Sequence, residues 1–334
     1  MVKRDWRRTS DAKLQTIRLR DLRLKIKDSP LQGRIERLYQ ELSRRGIEFR
    51  PHVWFSTDWF SPDSVPGIAV PFYLGHPRLA HFERRRHVIA EGWNERECMQ
   101  LLRHEAGHAI DTAYGLARHA AWREAFGPRN APYHGTYRVN PFSRDHVRHL
   151  PRWYAQSHPA EDFAETFAIW LSHGTRPGKP GTLAKRKLEL VAHLMRDVCG
   201  RQPKGLLRER PYSLAKSVIT LGEHYLRKEK ARGGDPAPPF EPFLVRYAQP
   251  GAARGRSRVA AHVIRLKPGV RASLERNTAA LHYDIDQILD GMVSNARMHG
   301  LRWKTRHRPR AAELAACVRT CWNKLRRGTT FLPR

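Results

Sequence analysis

Two histidines four residues apart enclose a glutamate in the stretch LLRHEAGHAID, residues 101–111. On a helix, residues at this spacing point in nearly the same direction, so His104 and His108 can reach one metal ion. Glu105 lies at the edge of that site, where a carboxylate can take a proton from water without being a ligand. The spacing therefore predicts a zinc site on a helix, with Glu105 as the general base.

A catalytic zinc usually has three protein ligands, and the stretch HPAEDFAETFAIWL, residues 158–171, offers the third. Helical periodicity gives this stretch an apolar arc with Glu161 and Glu165 at its border, while Asp162 should face solvent. We expect Glu161 to be the ligand and Glu165 to orient a ligand histidine through its other ring nitrogen. The reverse assignment stays open, and His158 is a weaker candidate.

Two further features of the motif helix concern its surroundings. Asp111 follows His104 by seven residues, so it can hydrogen-bond a ligand or a nearby backbone group, or pair with an arginine. The small residues Ala106, Gly107 and Ala109 allow another element to approach this helix closely. A second helix that carries the third ligand could therefore pack here.

The blocks HEAGHAID and YAQSHPAEDFAETFAIWL resemble the glutamate-ligand zincins of the anthrax toxin lethal factor and Mlc titration factor A type. They also resemble bacterial zinc-binding metallopeptidases that have a SHPxEDxAET block. The resemblance covers roughly residues 65 to 175. It implies that His104, His108 and Glu161 bind one Zn²⁺ per chain and that Glu105 is the general base.

The same resemblance implies that a tyrosine shortly before the third ligand stabilises the transition state. Tyr154 precedes Glu161 by seven positions, as the lethal-factor pattern requires. Tyr137 and Tyr133 are alternatives for this role.

The expected fold class is α+β, a zincin-like metallopeptidase domain followed by a basic helical C-terminal region. In this domain a small mixed sheet with an edge strand lies over the motif helix, and a helical lobe follows. The run GIAVPFYLG, residues 67–75, is the expected edge strand, to which an extended substrate could add. The predicted organisation is a basic N-terminal extension (1–30), the zincin-like domain (31–230), a Pro/Gly-rich linker (231–260) and the C-terminal region (261–334).

Helix signals support this organisation. Apolar periodicity and capping residues predict helices over 31–46, 94–113, 157–174 and about 183–199. Asn94 and the glutamate three positions later form a capping-box-like start to the helix that carries the motif.

The net charge of +30 is concentrated at both ends: residues 1–50 carry 15 Lys/Arg against 7 Asp/Glu, and residues 251–334 carry 18 against 5. Such an excess predicts salt-sensitive attraction of the basic termini to nucleic acid or an acidic partner. The segment GLRWKTRHRPR, residues 300–310, suits phosphate contact with base stacking, or it is a solvated tail.

The four cysteines lack the density of a disulfide framework, which is typical of a reducing compartment. Cys317 and Cys321, one helical turn apart, are expected to be ordinary helix residues rather than ligands of a second metal. The first 20 residues contain no continuous apolar run of the kind that a secretory leader needs. We therefore expect a cytoplasmic protein without a transmembrane segment.

The predicted function is zinc-dependent peptide-bond hydrolysis with a peptide or protein as substrate. An endopeptidase is favoured because no Gly-x-Met-Glu-Asn-like stretch offers a carboxylate for a substrate amine. One alternative is a nucleic-acid-associated basic protein, such as a protease recruited to DNA or RNA, and another is a catalytically silent zinc-binding domain. The retained Glu105 argues against the silent domain, and a His₂Glu set suits zinc without excluding other divalent ions.

Overall fold

Local signals define both ends of the helix that carries the two histidines. The side-chain oxygen of Asn94 accepts a hydrogen bond from the Glu97 backbone N–H at 2.9 Å, and its amide donates to the Glu97 carboxylate at 3.0 Å. The helix ends at Gly115, whose φ of 64° is in the left-handed region that favours glycine. In the computed structural model this helix runs Glu95–Tyr114, which confirms the prediction over 94–113.

The structure describes residues 5–86, 90–133, 136–140, 143–178, 181–203, 207–231, 240–250, 257–275, 282–298, 300–304, 308–326 and 331–333. The helices in this part of the chain are α1 (Asp11–Gln15), α2 (Leu31–Arg44), α3 (Pro77–Arg86), α4 (Glu95–Tyr114), α5 (Ala120–Phe126), α6 (Pro159–His173), α7 (Leu183–Val198), α8 (Leu221–Ala231), α9 (Glu241–Tyr247), α10 (Arg258–Glu275), α11 (His282–Met298) and α12 (Ala311–Arg326). The strands are β1 (His52–Ser56), β2 (Gly67–Pro71), β3 (Thr136–Arg138), β4 (Ala248–Pro250), β5 (Leu301–Trp303) and β6 (Phe331–Pro333).

The chain divides into two units. Unit 1 comprises Met1–Ala131 and Pro159–Gly234, and unit 2 comprises Pro132–His158 and Asp235–Arg334. Residues 132–158, which lie inside the predicted zincin-like domain, thus belong to unit 2. Helices with two-stranded sheets are compatible with the α+β class.

The two segments predicted as an extension and a linker contain folded parts. In the range 1–30, the apolar side chains Trp6, Leu14, Leu19 and Leu22 are buried in unit 1. In the range 231–260, residues 240–250 form α9 and β4, and their apolar side chains Phe240, Leu244 and Ala248 are buried in unit 2. The rest of the predicted linker, 232–239 and 251–256, lies outside the described residues.

In unit 1, α4 packs against α6, which is also covered by α5 and α7, while α2 and β2 pack against α4. The amphipathic pattern of α2 buries Leu31, Ile35, Leu38 and Leu42, as the helical spacing predicts. The apolar side of α6 is completely buried and includes Phe163, Phe167 and Leu171. The motif helix is therefore held from several sides by apolar contacts.

The sheet of unit 1 has both parallel and antiparallel pairing, but its expected edge is covered. β1 and β2 pair in parallel, with Trp54 opposite Ala69. On the other side of β2, the Ala69 N–H donates to Phe60 O at 2.8 Å, and the Phe60 N–H donates to Ala69 O at 3.4 Å. The prediction that 67–75 offers a free edge to an extended substrate is wrong at Ala69, because a preceding loop residue takes both of its outward hydrogen bonds.

Unit 2 is built mainly from α10, α11 and α12, which pack against one another. β4 and β5 form an antiparallel pair that lies against α10, and β3 pairs with β6 in the same sense. The core of this unit includes Val263, Ile288, Leu289, Met292 and Val318. The predicted helical character of the C-terminal region is confirmed within the described residues.

Within the basic segment 300–310, the described residues 301–303 are part of the fold rather than a solvated tail, and their tryptophan is not available for stacking. Leu301 and Trp303 are buried, and residues 301–303 pair with β4 as strand β5. The ring of Trp303 lies edge-to-face against His262 of α10, with centroids 5.4 Å apart, so it does not offer a free face to a base. Residues 305–307 lie outside the described part of the chain.

None of the described helices combines the length and the apolar character needed to cross a membrane.

Candidate metal centre

The candidate metal centre lies beside a close contact between α4 and α6. A Cβ atom on Gly107 would lie 2.9 Å from the Ala164 Cα and 3.2 Å from its carbonyl oxygen, so only glycine allows this contact. His104 and His108 lie on either side of Gly107 along α4, and Glu161 lies one turn before Ala164 on α6. The close approach predicted from the small residues therefore brings the third ligand candidate to the two histidines.

Three ligand atoms converge at this point. Glu161 Oε2 lies 3.0 Å from His104 Nε2 and 3.0 Å from His108 Nε2, and the two ring nitrogens are 3.2 Å apart. Ligands placed tetrahedrally at the usual Zn–N distance are about 3.3 Å from one another, so the separations are close to those of a metal site. All three residues are buried, and the group can hold a metal ion.

Burial and hydrogen bonds shift the pKa of two of the three residues, Glu161 and His104. Burial acts to raise the pKa of Glu161, but the His108 charge and the hydrogen bonds from both histidines hold it well below its ordinary value. Burial acts to lower the pKa of His104, but hydrogen bonds with Glu161 and Glu165 raise it to about 10. The carboxylate is therefore ionised, as a metal ligand must be.

Glu165 takes the position expected of the orienting carboxylate. Its Oε1 lies 3.0 Å from His104 Nδ1, the ring nitrogen that faces away from Glu161, and its side chain is fully buried. A carboxylate on the second nitrogen fixes the orientation of a ligand histidine and directs Nε2 toward the metal. Glu161 contacts both histidines at Nε2. This geometry agrees with the expected assignment, in which Glu161 is the ligand and Glu165 orients His104.

Glu105 is buried beside the ligands, with 6% of its surface exposed. Its Oε2 has no hydrogen-bond partner among the described residues. Burial raises the pKa of this carboxyl group, which makes its ionised form a better proton acceptor. A buried oxygen without a partner is costly, so its presence next to the metal group needs a chemical reason.

Asp111 connects α4 to the segment that follows it. Its Oδ1 accepts a hydrogen bond from the Ala117 backbone N–H at 2.9 Å, and its Oδ2 pairs with Arg129 Nε at 3.1 Å. Two of the three contacts expected from the sequence, a backbone group and an arginine, are therefore present. The structure assigns both carboxylate oxygens to these partners rather than to a ligand histidine.

The prediction that Asp162 faces solvent is wrong. This side chain is 2% exposed, and its Oδ2 lies 2.5 Å from Lys187 Nζ of α7. Burial raises the pKa of Asp162 to about 7, although the Lys187 charge opposes the rise. A signal was present in the sequence, because Lys187 lies three residues after Ala184 and four before Val191, on the apolar face of α7.

The tyrosine and histidine candidates near residue 154 all lie in unit 2, whereas the metal group lies in unit 1. Tyr154 is in a short 3₁₀ helix, and its ring makes an edge contact with Tyr137 at 6.5 Å between centroids. Tyr133 stacks on His158 with centroids 3.7 Å apart. The role of any of these tyrosines in a transition state stays a prediction.

A second pair of potential metal ligands in the sequence, the two cysteines of α12, has no third ligand among the described residues. Cys317 and Cys321 of α12 have their sulfur atoms 3.9 Å apart. Within the described residues, His104, His108 and Glu161 are the one group with three convergent ligand atoms. Cys317 and Cys321 both lie in α12 and are not joined by a disulfide bond.

No protein-family model and no curated protein matches this sequence, and no solved structure matches its fold.

Proposed function

We propose that this chain is a zinc-dependent peptidase whose metal ligands are His104, His108 and Glu161. The observation that carries the proposal is the combination of three convergent ligand atoms with the unbonded Glu105 oxygen beside them. A His₂Glu set that leaves a position for water is typical of hydrolytic zinc sites.

A bound zinc ion supplies Lewis acidity, which acidifies water and polarises the scissile carbonyl. The residues of the chain do the rest. Glu105 accepts the proton of the attacking water at its free oxygen and can pass it to the leaving amine. Glu165 holds the ring of His104 in place, and the buried surroundings strengthen each of these polar interactions.

The alternative of a silent zinc-binding module is less well supported because of Glu105. A structural site needs ligands and orienting partners, but it gains nothing from an additional carboxylate whose oxygen is buried without a partner. Such a group costs about 1 to 3 kcal/mol, or more if charged. An apolar side chain at this position would remove that cost, so the retained glutamate favours catalysis.

Metal content and peptide turnover measured on the same samples test the proposal. Wild type should contain one zinc ion per chain by elemental analysis and should hydrolyse casein. His104→Ala and Glu161→Ala should lose both properties. Glu105→Gln should keep the metal and lose turnover by a factor of about 10² or more. Wild type without zinc after purification in zinc-containing buffer would contradict the metal site, and turnover in Glu105→Gln would contradict the general base.

A second comparison separates the two glutamates of α6. Glu161→Gln removes the charged ligand, whereas Glu165→Gln keeps a hydrogen-bond acceptor at the far nitrogen of His104. We expect Glu161→Gln to lose zinc at micromolar concentrations and Glu165→Gln to weaken zinc affinity by about 10- to 100-fold. The opposite ranking would show that Glu165 is the ligand.

The endopeptidase preference is tested with blocked peptides. A peptide acetylated at its N-terminus and amidated at its C-terminus should be cleaved as fast as the free peptide, because no carboxylate is predicted to bind a substrate amine. Cleavage restricted to the peptide with a free amino group would show an aminopeptidase.

A further inference from the structure

Unit 2 has a larger relative excess of basic residues than unit 1. This unit carries 23 Lys/Arg against 8 Asp/Glu in its sequence, and unit 1 carries 39 against 24 over a longer chain. Arg265, Arg308 and Arg310 are exposed, and none of them pairs with a described carboxylate. Their charges are therefore free to attract an anionic partner.

His262 links Arg265 of α10 to the backbone of the segment that carries Arg308 and Arg310. Arg265 Nη2 donates to His262 Nδ1 at 2.8 Å, and His262 Nε2 donates to the Pro309 carbonyl oxygen at 2.8 Å. Pro309 is buried, and Arg308 and Arg310 on either side of it are exposed. We call Arg265, Arg308 and Arg310 the arginine cluster.

Among the described residues, the surroundings of the cluster are held by tight packing, and the two acids closest in sequence or contact already have partners. A Cβ on Gly269 of α10 would lie 3.3 Å from the Ala311 Cβ, so the first turn of α12 is held close to α10. Glu313 accepts a hydrogen bond from the Arg310 backbone N–H at 2.9 Å, and Asp290 is paired with Lys267 at 2.5 Å. Both carboxylates thus have partners other than the arginine side chains of the cluster.

We propose that the arginine cluster is a docking surface for the phosphate backbone of duplex DNA. Guanidinium groups bind phosphate oxygens with two parallel hydrogen bonds, and several of them close together suit successive phosphates. Single strands are usually bound by stacking bases on exposed aromatic rings, and the neighbouring Trp303 is buried against His262. RNA recognition relies in addition on splayed bases or 2′-hydroxyl contacts, and the described residues beside the cluster offer no exposed aromatic ring on which such bases could stack.

This proposal goes beyond the peptidase function and does not depend on it, because binding is measured directly on the full chain. The test uses fluorescence anisotropy with a labelled DNA duplex of about 20 base pairs over a series of salt concentrations. The cluster variant is R265Q/R308Q/R310Q. The matched control is R44Q/R186Q/R227Q, which removes three exposed arginines of unit 1 that have no described ion pair.

We expect the cluster variant to bind duplex DNA at least about tenfold more weakly at 0.1 M salt, with a slope of log Kd against log salt reduced by about 3. The control variant should stay within about threefold of wild type, because it loses the same charge elsewhere. R265K/R308K/R310K should keep most of the binding. Circular dichroism and zinc content should be unchanged in all three variants.

Several outcomes would overturn the proposal. Equal losses in the cluster and control variants would mean that net charge alone attracts DNA. Absence of wild-type binding at 0.1 M salt, or tighter binding of single-stranded DNA or duplex RNA of the same length, would exclude duplex DNA as the partner. If the cluster variant does not fold, Arg308→Glu compared with Arg186→Glu decides in the same way, because each reverses one exposed charge.

Discussion

The two units of this chain differ in whether their carboxylate side chains are buried. Unit 1 buries carboxylates and gives many of them a specific partner, whereas the carboxylates described in unit 2, Asp145, Asp290 and Glu313, are not buried. Among the described residues of unit 1, the buried carboxylates are Glu83, Glu97, Glu105, Asp111, Glu161, Asp162 and Glu165. Three of these, Glu105, Glu161 and Glu165, belong to the candidate metal centre.

This difference follows from what each unit is proposed to do. A metal centre needs ionised ligands in a low-dielectric site, so the surrounding core must accept charges and provide partners for them. A surface for an anionic polymer needs charges that stay in water and remain unpaired until the partner arrives. We therefore expect substitutions of charged residues to affect mainly stability in unit 1 and mainly binding in unit 2.

The largest effect should come from one buried ion pair. Lys187–Asp162 and Lys267–Asp290 both have N–O distances of 2.5 Å, but the first pair has side chains 4% and 3% exposed and the second 18% and 51%. Lys187→Met leaves Asp162 buried without its cation and should cost about 3 to 5 kcal/mol in urea unfolding. Lys267→Met should cost about 1 kcal/mol or less. Equal losses of unfolding free energy in the two variants would contradict the expected difference between the units.

The next effect concerns the pH dependence of stability. Burial, with the nearby Glu91 charge, raises the pKa of Glu97 from its ordinary value of 4.5 to about 8. The folded state therefore keeps a proton that the unfolded state releases, so the unfolding free energy falls as pH rises from about 4.5 to about 8. Glu97→Gln should remove this fall and be more stable than wild type near pH 8, by on the order of 3 kcal/mol.

The exposed Glu95 on the same helix provides the control for this measurement. Glu95→Gln removes one carboxylate from the same helix at a side chain that is 65% exposed, so it controls for the loss of a negative charge from α4. Urea unfolding at pH 5 and pH 8 measures both variants. A Glu97→Gln variant that follows the wild-type pH curve would show that Glu97 is ionised in the folded protein.

A smaller effect is expected from the contact between α4 and α6. Gly107→Ala introduces a Cβ 2.9 Å from the Ala164 backbone, which should cost about 1 to 3 kcal/mol and weaken zinc binding by separating the ligand helices. Gly33→Ala on α2 has no atom within 4 Å of the new Cβ and should stabilise the protein by up to about 1 kcal/mol. Unchanged zinc affinity in Gly107→Ala would mean that the centre tolerates a shift of α6.

The smallest effects belong to exposed arginines, with or without a partner. Arg37 pairs with Glu41 and Glu95 in unit 1, and Arg319 is exposed on α12 without a described ion pair. Replacing either by Gln should change stability by less than about 0.5 kcal/mol, since exposed pairs contribute little. A clearly larger cost for Arg37→Gln would show that surface pairing itself stabilises unit 1.

The parts of the fold that depend on local chemistry were accessible from the sequence. The start of α4 at Asn94, its end at Gly115 and the shared direction of His104 and His108 follow from capping and from the period of 3.6 residues. The close approach at Gly107 was also indicated, because small residues permit it.

The wrong predictions share one physical cause. The periodicity of a single segment does not show which distant segments pack against it. Asp162 lies outside the apolar arc of α6, but α7 covers that side with Lys187. The sequence pattern predicts a free outer edge for β2, but the backbone groups of Ala69 on that edge are paired with Phe60. Each error assumed that solvent lies wherever the local pattern is polar or unpaired.

The sequence by itself determined which chemical groups are present and on which side of their helices they lie. It favoured Glu161 over Glu165 as the ligand but left the reverse assignment open, because residues four apart on a helix share nearly the same direction and differ mainly in height along the axis. That height is set by the register of α6 against α4 at the Gly107–Ala164 contact. This packing places Glu161 between the two histidines and Glu165 at the far nitrogen of His104, an arrangement that only the tertiary structure could decide.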